Sequence, residues 1–140
     1  MDYMELAIEE AKKAREIYEV PVGAVLVKDN IVLSSSYNQK IINNDCTCHA
    51  EINVIKEASK KLNNWHLDDC TLYVTLEPCP MCAGAIRESR IKKVIIGTKS
   101  NVEENSNLLK QILGNSTEII YLNNKECSNI LTNFFSNLRK

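Results

Sequence analysis

A three-layer α/β domain with a mixed five-stranded sheet is the fold class that this 140-residue chain predicts. Three observations predict it: a helix-period opening segment, a β-hairpin pattern directly after it, and strands alternating with helices from there to the C-terminus. The length fits one domain over residues 1–140. Such a domain buries roughly two thirds of its unfolded surface without covalent staples.

Each element rests on its own pattern. Met4, Ala7, Ile8, Ala11, Ala14 and Tyr18 recur at three- and four-residue steps, which predicts a helix with one buried face ending before Pro21. Residues 22–27 and 31–33 are β-rich runs around Lys28-Asp29-Asn30, a hairpin. Residues 37–47 are polar and without period, a loop delivering the chain to His49. Ala50, Val54, Ile55, Ala58 and Leu62 again have helical spacing over 49–62, with Thr47 placed to cap the start and Asp45 close by. After a loop at 63–69, residues 71–76 read as a buried strand that stops at Glu77-Pro78. Residues 80–89 form a second helix of this half, its first turn tolerating Pro80. A strand at 93–97 follows, then a polar stretch at 100–107, a short helix at 108–113 stopped by Gly114, and a last strand at 118–122. From about Lys125, Cys127, Ile130, Leu131, Phe134, Phe135 and Leu138 stack on one helical face, and Asn123 with Glu126 has capping-box spacing.

Composition narrows the class. No apolar run reaches the eighteen residues of a membrane span, and Asp2, Glu5, Glu9 and Glu10 are the opposite of a signal peptide's basic start. The expectation is a soluble, intracellular, cytoplasmic protein with no membrane partner. Six cysteines stand at 46, 48, 70, 79, 82 and 127, but Cys-x-x-Cys beside a histidine favours metal over a disulfide framework. The formal charge of −1 gives by itself no sign of a nucleic-acid partner. Its distribution says more: residues 1–19 carry −3, six acids against three bases, and residues 79–99 carry +4, five bases against one acid. The basic cluster is either a solvated face or a phosphate-facing surface beside the metal site.

The chemistry concentrates in two short stretches. Cys48-His49-Ala50-Glu51 supplies an imidazole and a carboxylate two positions on, and Glu77-Pro78-Cys79-Pro80-Met81-Cys82 supplies two thiols. A helix N-terminus favours the thiolate that zinc requires, so Cys79 and Cys82 are well placed to lose their protons. His49 from the other helix is the third ligand, and three protein ligands leave the fourth position to water, whose pKa zinc lowers to about 7. Positions i and i+2 of a helix do not share a face, which argues against Glu51 ligating the same ion. Glu51 is then free for general acid/base work: taking a proton from water and passing it to a ring nitrogen and a leaving amine. The competing reading is a closed zinc knot with Cys46 or Cys48 as fourth ligand and Glu51 an ordinary first-turn acid. Otherwise Cys46, Cys48, Cys70 and Cys127 serve as small apolar fillers. His66, beside Trp65, is a surface residue not needed by the ligand count.

His-x-Glu followed by Pro-Cys-x-x-Cys is the established signature of zinc-dependent nucleobase deaminases. At these residues the chain resembles the cytidine deaminase superfamily and, within it, the bacterial tRNA-specific adenosine deaminases. The likeness extends through residues 21–27, Tyr37-Asn38, 71–79, 81–86, Ser89-Arg90-Ile91, Phe134-Phe135 and Leu138-Arg139. It implies a cytidine-deaminase-like α/β/α fold, bound Zn2+, and a homodimer that flips out the wobble adenosine (position 34) of a tRNA anticodon stem-loop and converts it to inosine. It further implies that Asn38 hydrogen-bonds the purine, and that the backbone at Ala50, Pro78 and Cys79 lies beside the substrate and the water. Without the resemblance, Asn38 reads first as a turn residue of a polar loop. At least one of Phe134 and Phe135 belongs to the core, while the other is free to stack on RNA or fill a dimer contact. Arg139 and Lys140 touch phosphate or favour the helix C-terminus.

Two departures from that family stand out. Cys46 and Cys48 replace a proline and a small residue, and the glycine-rich segment ending in Gly-Ser-Leu is replaced, so that residues 99–108 keep only Ser106 and Leu108 of it and bring in Glu103 and Glu104. Two acids there repel phosphate. Three competing readings follow: a tRNA adenosine deaminase, a deaminase of a free base, nucleoside or nucleotide of guanine or cytosine type, and a zinc-stabilised binding module without catalysis.

Overall fold

The computed structural model describes residues 2–138; the expectations for Arg139 and Lys140 lie outside the described residues. The first helix, α1 (Tyr3–Glu16), is capped by the Asp2 carboxylate, which accepts from the N–H groups of Met4 and Glu5. Met4, Ala7, Ile8, Ala11 and Ala14 are buried as their period requires. Tyr18 is a correction: the helix stops at Glu16, the Glu19 N–H closes back on the Ala14 carbonyl, and Tyr18 takes a left-handed φ and faces solvent.

The hairpin pairs β1 (Gly23–Lys28) with β2 (Ile31–Tyr37) through Asp29 and Asn30, both at positive φ as a type I′ turn requires. β2 runs four residues beyond the apolar stretch that predicted it. Ser34, Ser35, Ser36 and Tyr37 offer no hydrophobic alternation, yet they pair with Leu26, Val25, Ala24 and Gly23. The buried Ser34 hydroxyl is satisfied by the Val54 carbonyl at 2.8 Å.

The remaining elements are α2 (Ala50–Leu62), β3 (Cys70–Leu76), α3 (Pro80–Glu88), β4 (Lys93–Thr98), α4 (Asn105–Leu113), β5 (Glu118–Tyr121) and α5 (Lys125–Leu138). The sheet order is β2-β1-β3-β4-β5, antiparallel through β2, β1 and β3 and parallel through β3, β4 and β5. Alternate residues serve two cores. Leu26, Leu72, Val74, Val94 and Ile96 pack under α2, α3 and α4, while Val25 and Val27 pack with α1 and α5 on the opposite face. This is the expected three-layer α/β/α arrangement. A side chain at Gly23 would collide with the α1 backbone at Ala7 and Ala11, so glycine there lets α1 lie directly on the start of β1.

The sequence reading is corrected at the caps of two helices and at the start of a third. His49, not Thr47, occupies the N-cap position of α2, with no side-chain capping bond, and the Thr47 hydroxyl donates instead to Asp45 at 2.6 Å. α4 begins at Asn105, three residues before its apolar pattern does. The Cys127 N–H of α5 bonds to Asn124 Oδ1 at 3.0 Å, and Asn123 sits at positive φ, so Asn124 replaces Asn123 as the cap. On that helix Cys127, Ile130 and Phe134 are buried and Phe135 and Leu138 are exposed. No described helix is long and apolar enough to cross a membrane.

The basic cluster is also relocated. Lys92 and Lys93 lie at the start of β4, level with Thr71 at the start of β3, and Arg90 stacks over Trp65 at 5.1 Å. The metal-binding stretches sit at the other end of the sheet, where β2 and β3 terminate and α2 and α3 begin. Of the five bases only Lys99 is at that end.

Candidate metal centre

The two stretches meet because β3 and the 38–48 loop both leave the sheet at its open, carboxyl-end edge, where α/β folds place their ligands. His49 and Cys79 are the N-cap residues of α2 and α3, each extended, and Cys82 is the third residue of α3. His49 Nδ1 lies 3.8 Å from Cys79 Sγ and 3.5 Å from Cys82 Sγ, and the three ligating atoms are all within 4.8 Å of one another. Tetrahedral bonds of about 2.3 Å to sulfur and 2.05 Å to nitrogen place S and N about 3.6 Å apart, so this triad fits a tetrahedral metal. Among the described residues it is the one such group, and neither Cys46 nor Cys48 belongs to it. Cys70 and Cys127 are buried fillers as expected; Cys46 is exposed and Cys48 half-buried, because the loop that carries them runs over the surface. His66 is exposed and pairs with Asp68 at 3.0 Å.

The charges at the centre are unevenly held. The Cys79 thiol is pulled down to about 4, chiefly by a hydrogen bond from Cys82 and, against the cost of burial, by His49. Cys82 is pushed up by its bond to Cys79 and by burial, and His49 is raised by Cys79. Without metal the lowered Cys79 thiol and the raised Cys82 thiol favour a single thiolate, at Cys79, and loading a metal requires a proton to leave Cys82. Glu51, the second residue of α2, is buried and outside the triad, and burial pushes its carboxyl up to about 7 against the opposing pull of His49. A carboxyl there can hold a proton or release it near neutral pH, which suits it to general acid/base work.

These groups open onto a cleft of about 230 Å³ lined by Glu19, Val20, Val22, Asn38, Lys40, Ile41, Leu76 and Glu77 along with His49, Glu51 and Cys79. The space is below the roughly 300–1,000 Å³ of pockets for drug-sized ligands and suits one planar base. Asn38 Oδ1 accepts the Ala50 N–H at 2.8 Å, which ties the loop to the first turn of α2. Ala50 and Pro78 are not among the lining residues; the Pro78 carbonyl accepts from Asn105 Nδ2 at 3.0 Å.

Two lining carboxylates were invisible as site residues in the sequence. Glu19 is buried and accepts the Ile41 and Ile42 N–H groups at 2.7 and 2.9 Å, pinning the 38–48 loop over the cleft. Glu77 receives Asn105, Ser106, Tyr121 and the Ser100 N–H. Burial works against its charge, but the bonds from Asn105, Ser106 and Tyr121 outweigh burial and hold the carboxyl below the usual glutamate range. The available signal was positional: Glu77 directly follows a β-rich run and precedes Pro78, and Glu19 stands two residues before Pro21.

Residues 1–139 match the family described as MafB19-like deaminase. The tRNA-specific adenosine deaminase of Bacillus subtilis (strain 168) is 43% identical, over 99% of this chain and 89% of its own length. The chain belongs to the tRNA-specific adenosine deaminase family. A solved structure from work on A-to-I editing by tRNA:A34 deaminases at the wobble position of transfer RNA matches at TM-score 0.86 and 39% identity, covering 92% of this chain and 98% of that one. Guanine deaminase from Bacillus subtilis matches at TM-score 0.67 and 38% identity, over 71% of this chain and 66% of that one. The fold is therefore the cytidine-deaminase-like one that the resemblance implied.

Proposed function

We infer that this protein is a zinc-dependent hydrolase that deaminates adenosine to inosine at the wobble position, 34, of tRNA. The observation that carries the reading is Glu51: a buried carboxyl beside a His/Cys/Cys triad, outside the ligand set, facing a cleft the size of one base. His49, Cys79 and Cys82 would hold the Zn2+, which when bound acidifies water and so supplies the nucleophile. Glu51 would take one proton from that water and give it to the ring nitrogen as C6 gains the oxygen, then pass the remaining hydroxyl proton to the amine, so that the C6–nitrogen bond breaks and ammonia leaves. Asn38 has its oxygen committed to Ala50, which leaves its amide N–H groups to donate to the purine. Ala50 and Pro78 serve the substrate through their backbone, Ala50 by fixing Asn38 and Pro78 by flanking the ligand Cys79. The family likeness supports an anticodon stem-loop as partner, a homodimer and a cytoplasmic setting; half-exposed Met81 and Leu108 supply apolar surface on α3 and α4 for a second copy.

One observation favours a second reading, a free-base deaminase: the likeness to guanine deaminase, together with Glu103 and Glu104 in the 99–108 segment. The test is incubation of the zinc-loaded protein with anticodon stem-loops and with free guanine, adenosine and cytidine, reading inosine and ammonia together. Inosine at position 34, formed with a rate that falls as salt is added, is expected. Ammonia from a free base, with the stem-loop adenosine intact, would replace the first reading by the second.

A further inference from the structure

Glu77 and Asn105 stand outside the assigned machinery, and their bonds form a closed figure. Asn105 is 6% exposed and Glu77 3% exposed. The two N–H groups of the Asn105 side chain go in two directions, one to Glu77 Oε1 at 2.9 Å and one to the Pro78 carbonyl at 3.0 Å. The other Glu77 oxygen takes the hydroxyls of Ser106 at 2.6 Å and Tyr121 at 2.5 Å. The Glu77 N–H is itself spent on the Thr98 carbonyl at 2.9 Å. Glu77-Pro78 is the connection between β3 and Cys79, and its Glu77 N–H, Glu77 carboxylate and Pro78 carbonyl are held by Thr98, Ser100, Asn105 and Ser106, with Tyr121 from β5. Proline removes the N–H that would otherwise anchor residue 78, which leaves its carbonyl as the backbone handle.

We propose that Asn105 and Glu77 are positioning residues for the metal centre: a buried clamp that holds the Pro78-Cys79 turn against the start of α4, so that the divergent 99–108 segment sets how tightly Cys79 binds its metal. The clamp rests on the reading of His49, Cys79 and Cys82 as metal ligands. Ligands are oriented by the hydrogen bonds behind them, and loss of such partners costs tenfold to a hundredfold in affinity. The donor pattern makes the clamp sensitive to chemistry at constant shape. In Asn105→Asp one of the two donors becomes an oxygen facing either the Glu77 carboxylate or the Pro78 carbonyl, and in Glu77→Gln an amide N–H₂ faces the groups that now donate to it.

The test loads wild type, Asn105→Asp, Asn105→Ala, Glu77→Gln and Tyr121→Phe with one equivalent of zinc and follows its transfer to a colorimetric chelator. Cobalt-substituted samples report the sulfur-to-metal absorption of the same centre. Thr117→Val is the stability control, since Thr117 donates to the Ile91 carbonyl at 2.8 Å near the opposite end of the sheet. Asn105→Asp and Glu77→Gln are expected to release zinc at least tenfold faster and to shift the cobalt band, with Asn105→Ala intermediate. Tyr121→Phe and Thr117→Val should stay within about threefold of wild type, whatever their melting temperatures. If Asn105→Asp fails to fold, Asn105→Ala carries the comparison. Release and spectra unchanged in the folded Asn105 and Glu77 variants would overturn the clamp while leaving the metal centre intact. Wild type that holds no zinc would overturn the ligand assignment and the clamp with it.

Discussion

Whereas His49, Cys79 and Cys82 leave the ends of regular helices seated on one core, the cleft around them is walled largely by connecting segments held by two buried carboxylates, Glu19 and Glu77. The metal centre needs ligand positions good to a few tenths of an ångström, and two helix N-termini on a shared sheet provide that. The wall needs only to present a surface to the base and whatever flanks it, and away from the residues that pin it, Asn105 among them, its polar segments can vary in sequence without moving the ligands. The difference teaches that changes at the centre should abolish function and changes in the wall should tune it.

The largest effect tests the centre itself. Cys82→Ser, or exhaustive chelation of wild type, is expected to remove the metal and bring deamination to background, with readdition of zinc restoring only the wild type; metal content and inosine formation check both. Next comes stability at Glu51. Its carboxyl is raised from 4.5 to about 7 in the folded protein. The native state therefore binds the extra proton, so the metal-free protein keeps its full stability below pH 4.5 and loses some as pH rises to 7. At about 1.36 kcal/mol per pH unit the loss is on the order of 3 kcal/mol. Urea titration of metal-free Glu51→Gln should show a gain of about 1–3 kcal/mol at pH 8 and none at pH 4. A gain that does not depend on pH would contradict the burial argument.

Asn38→Ala joins the two regions, because it strips the Ala50 N–H of its acceptor and the cleft of an amide. A fall of about tenfold to a hundredfold in kcat/KM with metal content unchanged is expected. Metal loss in this variant would mean that the loop, and not the helix termini, sets the centre. The smallest effect belongs to the wall: Glu103→Lys with Glu104→Lys should tighten stem-loop binding severalfold at low salt and leave turnover of any free base unchanged. A titration across salt concentrations reads it directly, and equal affinity at all of them would remove these acids from the RNA account.

The same contrast governs how much the sequence disclosed. Helices α1, α2 and α3 and strands β1, β3 and β4 bury one or both faces, so their apolar periods announced them, and the metal ligands followed from His-x-Glu and Cys-x-x-Cys spacing. Ser34–Tyr37 and the first turn of α4 are polar, and what holds them is remote: β1 for the serines, and Glu77 for Asn105 and Ser106. Thr47 and Asn123 were plausible caps by composition, but the chain turns one or two residues later, at His49 and Asn124. Glu19 and Glu77 look like surface acids in one dimension, since only folding brings two donors onto Glu19 and four onto Glu77. Lys92 and Lys93 misled in the other sense: adjacent in sequence to the cysteine helix, they are a strand length away from its ligand end.

The account turns on Glu51 moving protons beside a metal that it does not bind. Wild type and Glu51→Gln, each carrying one equivalent of zinc, are given an anticodon stem-loop with adenosine at position 34 under single-turnover conditions. Inosine from the wild type, with at least a roughly hundredfold slower reaction in the variant at equal zinc content, is the predicted result. Undiminished inosine formation by Glu51→Gln, or adenosine left intact by the zinc-loaded wild type, would contradict it.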